Sequence, residues 1–269
     1  MAGPIVAMGG AEFTMRPENE ALHDYVLSLA APESGRRICL LPTASGDPRD
    51  QIGAFHGAVE RRGWSGSAIS LFRLGLAPID LAGHLLAQDV IYVTGGSMVN
   101  LLALWREHGI GEIMREAHAR GILLCGYSAG SMCWFEHGIT RGSGAPAAAA
   151  GLGLLAGSHC VHYAQDPARR RAFRSLIAKG AIGGGLALDD HAAALIRDGE
   201  VVEVVRSRAS AEAHRVEADG AGGSLESQLP SRLLPAPARR DEPGLEEMRE
   251  LRRLRSSVQP SPGRIGRLR

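Results

Sequence analysis

Ser128 lies in Gly126-Tyr127-Ser128-Ala129-Gly130, a G-x-S-x-G run that follows the apolar stretch GILLC and leads into a predicted helix. In that setting the glycines remove side chains that would clash in a tight strand-to-helix turn, and the serine hydroxyl stands exposed above the sheet as a nucleophile. The helix start supplies unpaired N–H groups and a positive dipole end, so the Ala129 amide can face a developing oxyanion. A glycine-rich turn with a helix-capping serine would read the same over five residues. The strand before and the helix after favour the nucleophile.

A second glycine turn, Thr94-Gly95-Gly96-Ser97, also follows a predicted strand and precedes a predicted helix. In an open parallel sheet both turns fall at the carboxyl ends of strands, where ligands bind. Consecutive glycines let the backbone approach a substrate, which makes the Gly96 amide the candidate second oxyanion donor. The chain has neither G-x-G-x-x-G nor a GK[ST] triplet, so nothing here supports nucleotide binding.

A serine nucleophile needs a base and an acid that orients it. His23, His56, His84, His108 and His118 fall in or at the ends of predicted helices and read as surface or capping residues. The stretch SHCVHYAQD offers His159 and His162 with equal claims. For the acid, Leu188-Asp189-Asp190-His191 follows an apolar run, and adjacent carboxylates at a strand end are costly unless used or solvated. A plain turn would explain them too.

These residues must be held by a frame. The first 200 residues alternate short apolar runs (residues 4–9, 37–42, 67–72, 88–93 and 121–127) with amphipathic segments (18–30, 49–63, 98–107 and 110–120). That is the pattern of βαβ units in one doubly wound, mostly parallel sheet flanked by helices. Met98, Leu101, Leu102 and Trp105 fall at i, i+3, i+4 and i+7, a buried helical stripe. ALIRDGEVVEVV reads as two strands joined at Asp198-Gly199, an antiparallel hairpin closing one edge. The alanine-rich APAAAAG reads as a loop.

Residues 221–269 differ: no Phe, Trp or Tyr, six of the 14 prolines, and ten arginines against six acids. Such a segment buries too little apolar surface to offset its ordering entropy, so residues 218–269 are expected to form a disordered tail after a folded domain of residues 1–217. Residues 244–255 could form a short helix within it. The net charge of +1 predicts no overall attraction to nucleic acid or membrane. Four cysteines without a CxxC pair, and a start lacking the features of a signal peptide, point to a reducing, cytoplasmic setting. No His, Cys or acid cluster has metal-ligand spacing, and no cofactor is implied.

Taken together, VTGGSMVNLLALW, GYSAGSMCWF, GLGLLAGSHCVHYAQDPARRRAF and LALDDHAAAL, in that order, resemble the dipeptidase E and cyanophycinase family of serine peptidases. Those proteins are similar in fold to class I glutamine amidotransferases but carry Ser in place of Cys at the elbow. The resemblance covers residues 1–217. It implies Ser128 as nucleophile, His162 as general base, Asp190 as orienting acid, and Gly96 and Ala129 as oxyanion donors. The chain order Ser, His, acid separates this reading from an α/β-hydrolase, which would pair Ser128 with Asp189 or Asp190 and His214.

The sequence departs from the family pattern at three places. Ser97 stands where relatives often have Asn, Asp190 where they usually have Glu, and Thr140-Arg141-Gly142-Ser143-Gly144 lacks an acid found there in peptidase E-like proteins. With Asp one methylene shorter, the backbone must close the gap to His162. The resemblance implies a small peptide substrate, foremost a dipeptide with N-terminal Asp, with a cyanophycinase-like activity on β-linked Asp-Arg peptides or a catalytically silent binding protein as alternatives. An aspartyl substrate calls for a cation, and Arg169, Arg170 and Arg171 are candidates, with Ser97 as a polar contact. A solvated charge run at a helix start would equally explain the arginines.

Overall fold

The computed structural model describes residues 2–10, 20–30, 35–76 and 78–235. The first apolar runs become β1 (Ile5–Met8), β2 (Arg37–Leu41), β3 (Ser65–Ala68), β4 (Val90–Val93) and β5 (Leu123–Tyr127). Between them lie α1 (Glu20–Ser28), α2 (Arg49–Glu60), α3 (Leu81–Leu86), α4 (Met98–Glu107) and α5 (Ile110–Ala119). The run at 67–72 is a strand only as far as Ala68 and then turns into a 3-10 helix at Leu71–Arg73.

After the four-residue helix α6 (Ala129–Met132) come β6 (Phe135–Ser143), β7 (Ala145–Ala150), β8 (Leu155–Val161), α7 (Pro167–Ala178) and β9 (Gly185–Leu188). The chain then continues through β10 (Ala192–Arg197), β11 (Glu200–Arg206), β12 (Ala213–Ala218), β13 (Ser224–Gln228) and β14 (Arg232–Leu233). One sheet has the order β14-β11-β10-β1-β5-β4-β2-β3, with β1 to β5 parallel and β10 antiparallel to β1. The expected hairpin is β10 and β11, turning through Asp198 (φ 50°) and Gly199 (φ 83°), and β14 pairs along its outer side.

The expectation of a single sheet is corrected by a second one, ordered β13-β12-β9-β8-β6-β7. Its edge strand β7 is the alanine-rich segment read as a loop. Alanine and Pro146 give it little strand propensity of its own, but hydrogen bonds to β6 hold it, and proline is tolerated at an edge. The expected tail also begins too early, because β13 and β14 lie beyond residue 217. Residues 236–269, including the helix expected at 244–255, lie outside the described residues.

Alternating side chains of the first sheet face two cores. Val6, Met8, Ile38, Leu40, Tyr92 and Cys125 pack with Leu22 and Val26 of α1 and Phe55 and Val59 of α2. Ala7, Leu41, Val93 and Leu124 pack with Leu101 and Trp105 of α4, Met114 of α5, and Leu155, Val161, Leu186 and Leu188 of the second sheet. The second sheet thus shares a core with the first. Its other face is covered by α7 through Phe173 and Ile177. Met98, Leu101 and Trp105 form the buried stripe of α4, while Leu102 is partly buried. Among the described residues no helix is long and apolar enough to cross a membrane.

Candidate active site

Ser128 stands between β5 and α6 at φ 52° and ψ −116°, a conformation that costs a non-glycine residue about 1–3 kcal/mol. The turn around it is tight: a Cβ on Gly126 would lie 2.2 Å from Gly130 O, and one on Gly130 2.3 Å from Val93 O. The Ser128 amide is tied to Met8 O of β1 at 3.1 Å, and its carbonyl accepts from the Ser131 and Met132 amides. The side chain is thereby presented at the carboxyl end of the parallel strands.

His162 follows β8 and Asp190 follows β9, so the second sheet brings both to Ser128. His162 Nε2 lies 3.0 Å from Ser128 Oγ, and His162 Nδ1 lies 2.5 Å from Asp190 Oδ1. A carboxylate can only accept, so Nδ1 carries the proton and Nε2 is left to accept from the Ser128 hydroxyl. The two side chains are 31% and 30% exposed, open enough for a substrate to reach them. The short Asp190 does reach the ring; the chain crossing from β9 to β10 brings it there. Gln165, which the sequence did not single out, accepts from the Asp190 amide at 3.1 Å and steadies that crossing.

The local rivals of both residues have other work. His159 is fully buried, with Nδ1 donating to Leu186 O at 2.9 Å and Nε2 accepting from Ser131 Oγ at 2.7 Å. Burial pushes its pKa down to about 4, and nearby His162 adds to this, against the Leu186 hydrogen bond. Asp189 is 3% exposed and accepts from the amides of Ala164 (2.8 Å) and Glu212 (3.0 Å), which makes it a staple between loops. His214, the base of the hydrolase ordering, stacks against Tyr163 at 5.7 Å and lies 3.5 Å from Glu212.

The two glycine turns pack together, since a Cβ on Gly95 would stand 3.0 Å from Ser128 Cβ. Gly96 follows at φ 136°, exposed, and Ala129 opens α6. The first amides of a helix have no intrahelical acceptor. Among the described residues neither the Gly96 nor the Ala129 N–H donates to a backbone carbonyl.

The substrate-binding candidates fare differently. Ser97 is the N-cap of α4, accepting from the Asn100 amide at 3.2 Å, so its hydroxyl serves the helix. Arg170 is bound to Glu226 of β13 through two nitrogens, at 2.6 and 3.1 Å, and lies over the Tyr163 ring. Neither is placed as a free substrate contact. Arg169 is buried, with Nη1 3.4 Å from Val161 O and Nε 3.6 Å from Asp166. Arg171 is exposed. Arg141, in the stretch expected to lack an acid, is paired with one from elsewhere: two hydrogen bonds of 2.7 Å join it to Asp166, just after His162. Those bonds hold the Asp166 carboxyl well below the usual range.

The chain is similar to known peptidases. The model of peptidase family S51 matches residues 5–204. The chain is 42% identical over 212 residues to the uncharacterized peptidase YgaJ of Bacillus subtilis (strain 168), covering 79% of this chain and 91% of that one. A crystal structure of a peptidase from an acI-B1 Actinobacterium superposes with a TM-score of 0.61 at 17% identity, covering 88% of this chain and 97% of the other. A putative peptidase E protein from Listeria monocytogenes EGD-e gives a TM-score of 0.53 at 21% identity, covering 77% and 99%. At these identities the two structures speak for the fold.

Proposed function

The chain belongs to peptidase family S51 and is a serine-type peptidase; from that premise we propose that Ser128, His162 and Asp190 hydrolyse short peptides, foremost dipeptides with N-terminal Asp. The observation that carries the reading is the unbroken chain Ser128 Oγ, His162 Nε2, His162 Nδ1, Asp190 Oδ1 on a strained elbow.

Ser128 Oγ attacks the scissile carbonyl carbon as its proton passes to His162 Nε2, and the carbonyl electron pair moves onto oxygen. The amides of Gly96 and Ala129 receive that oxyanion. As the carbonyl re-forms, the C–N bond breaks and the imidazolium gives its proton to the departing amine. A water then attacks the acyl-enzyme, losing a proton to His162, and the collapse returns that proton to Ser128 and frees the carboxylic acid. Asp190 keeps Nδ1 protonated and stabilises the imidazolium in both halves.

The aspartyl preference rests on chemistry. A side-chain carboxylate on the substrate calls for a cation, and with Arg170 held by Glu226 we assign that role to the exposed Arg171 near the start of α7. Four buried cysteines without a disulfide suit a reducing, cytoplasmic setting. The connected triad speaks against a catalytically silent protein.

The test is labelling by an alkyl fluorophosphonate with Ser128→Ala as control, followed by a panel of Asp-Xaa, Glu-Xaa and Xaa-Asp dipeptides. Wild type should label and the variant should not, and Asp-Xaa should be cleaved fastest. Equal labelling of both proteins overturns the nucleophile, and equal cleavage of all three peptide classes overturns the aspartyl preference.

A further inference from the structure

The proposed triad is assembled from two sheets. Ser128 leaves β5 of the first sheet, whereas His162 and Asp190 follow β8 and β9 of the second. Its working distance therefore depends on how the elbow helix seats against β8, and apolar packing between these layers is non-directional, so it does not by itself fix that seating. One turn beyond Ser128 and one short step before His162 there is a second serine–histidine contact, Ser131 Oγ to His159 Nε2 at 2.7 Å. Both residues are fully buried.

His159 has the same strand parity as Leu155 and Val161, which face the core shared by the two sheets. Its ring lies against Phe135, with centroids 4.7 Å apart, and its Nδ1 donates to Leu186 O in the neighbouring strand β9. Because a carbonyl only accepts, this bond fixes the proton on Nδ1 and makes Nε2 an acceptor aimed at Ser131. The result is a single directed line, Ser131 Oγ–H to His159 to Leu186 O, joining the elbow helix to the strands that carry the base and the acid. A buried polar line of this kind has one satisfied geometry, and leaving either end unpaired is costly.

We propose that Ser131 and His159 are positioning residues that set the Ser128–His162 distance for hydrolysis. The inference rests on the assignment of Ser128 and His162 as nucleophile and base. It assigns no chemistry to His159, which touches no substrate.

The experiment measures kcat and KM on an Asp-Xaa dipeptide, the maximal inactivation rate and half-saturating concentration for an alkyl fluorophosphonate, and the thermal midpoint. The proteins are wild type, Ser131→Ala, and the double variant Ser131→Ala/His159→Phe. The double variant removes the Ser131 hydroxyl and both ring nitrogens together and keeps a ring against Phe135, so that of this line only Leu186 O loses its donor. Positioning predicts that kcat and the maximal inactivation rate fall about 10- to 100-fold in both variants, since misplacement by around 1 Å can cost that much. KM and the half-saturating concentration should stay within about twofold of wild type. The double variant should not regain turnover, whatever its thermal midpoint.

A kcat within about threefold of wild type in folded Ser131→Ala overturns the proposal, whatever the double variant does. Recovery of kcat together with the thermal midpoint in the double variant overturns it too, because that is the mark of a purely structural pair. Ser128→Ala and His162→Ala, run alongside, separate the two readings. If they retain turnover, the assignment of nucleophile and base has failed; if they are inactive while Ser131→Ala is active, only the positioning role has failed.

Discussion

Gly10 and Asp190 stand so close that a Cβ on the glycine would lie 2.0 Å from Asp190 Oδ1 and 2.8 Å from His162 Nδ1. The turn after β1 therefore forms a wall of the proposed triad, and only a residue without a side chain leaves room for the His162–Asp190 hydrogen bond. Gly10→Ala has to displace the carboxylate or the ring. Both side chains are about one-third exposed and can move outward, so the fold should survive while kcat falls about 100-fold. Steady-state kinetics beside a thermal melt checks this. Wild-type kcat in a folded Gly10→Ala protein would show that the pair tolerates displacement.

The adjacent acids separate by experiment. Asp190→Ala removes the partner that orients His162, and turnover should drop about 10³- to 10⁴-fold with little change in thermal midpoint. Asp189→Ala instead removes the charged acceptor that joins the amides of Ala164 and Glu212, hydrogen bonds worth about 1.5–3 kcal/mol each. Its loss should appear in urea unfolding first. The opposite pattern would exchange the two roles.

Buried histidines make the fold sensitive to acid. Burial holds His159 at a pKa of about 4, and burial followed by the charge of Arg62 holds His23 at about 3. The unfolded chain protonates both near 6.5, so it takes up protons that the native state refuses. Stability is therefore complete above about pH 6.5 and falls as pH drops, by up to about 1.4 kcal/mol per unit for each histidine, until the native pKa is reached. Urea midpoints at pH 7, 6 and 5 should decline accordingly. In Ser131→Ala/His159→Phe the contribution of one histidine is gone, and an unaltered slope would contradict the assignment.

The parts legible in sequence are those whose pattern is set by their own burial. Strands β1, β2, β4 and β5 are covered on both faces, so IVAM, RICLL, VIYV and LLCGY read as continuous apolar runs. The elbow shows because its glycines are required by close backbone contacts, within the turn at Gly126 and against Val93 at Gly130. The second sheet was hidden because β7 and β13 are mostly exposed strands, APAAAA and SLESQ, held by their neighbours rather than by apolar alternation. His162 and Asp190 could not be told from His159 and Asp189 by local pattern, since burial is what separates them and it comes from α6 and the loops around Ala164 and Glu212. His23, read as a surface or capping residue, is 2% exposed within α1. Gly10 did carry a signal: Gly9-Gly10 after an apolar strand repeats the Gly95-Gly96 arrangement. Arg170 read as one of a charge run because Glu226, its partner, lies 56 residues away.

That partner moves the expected end of the folded domain. Glu226 on β13 holds Arg170 at 2.6 Å, lies 3.6 Å from Arg174, and accepts from the Tyr163 hydroxyl. Tyr163 follows His162 directly, and α7 carries the two arginines, so β13 braces the segment that presents the proposed base. Burial alone would raise the Glu226 carboxyl, but the hydrogen bonds from Arg170 and Tyr163 outweigh it and hold the pKa at about 2. A depressed carboxylate contributes stability that is complete above the unfolded value of about 4.3 and lost as pH falls toward 2. Glu226→Gln should lower the thermal midpoint at pH 7 and narrow the difference from wild type near pH 2. A chain ending at residue 217 lacks the whole brace and should lose both stability and turnover, whereas one ending at residue 235 keeps β13 and β14 and should retain kcat. Full activity in the shorter chain would show that the His162 segment holds its place without β13.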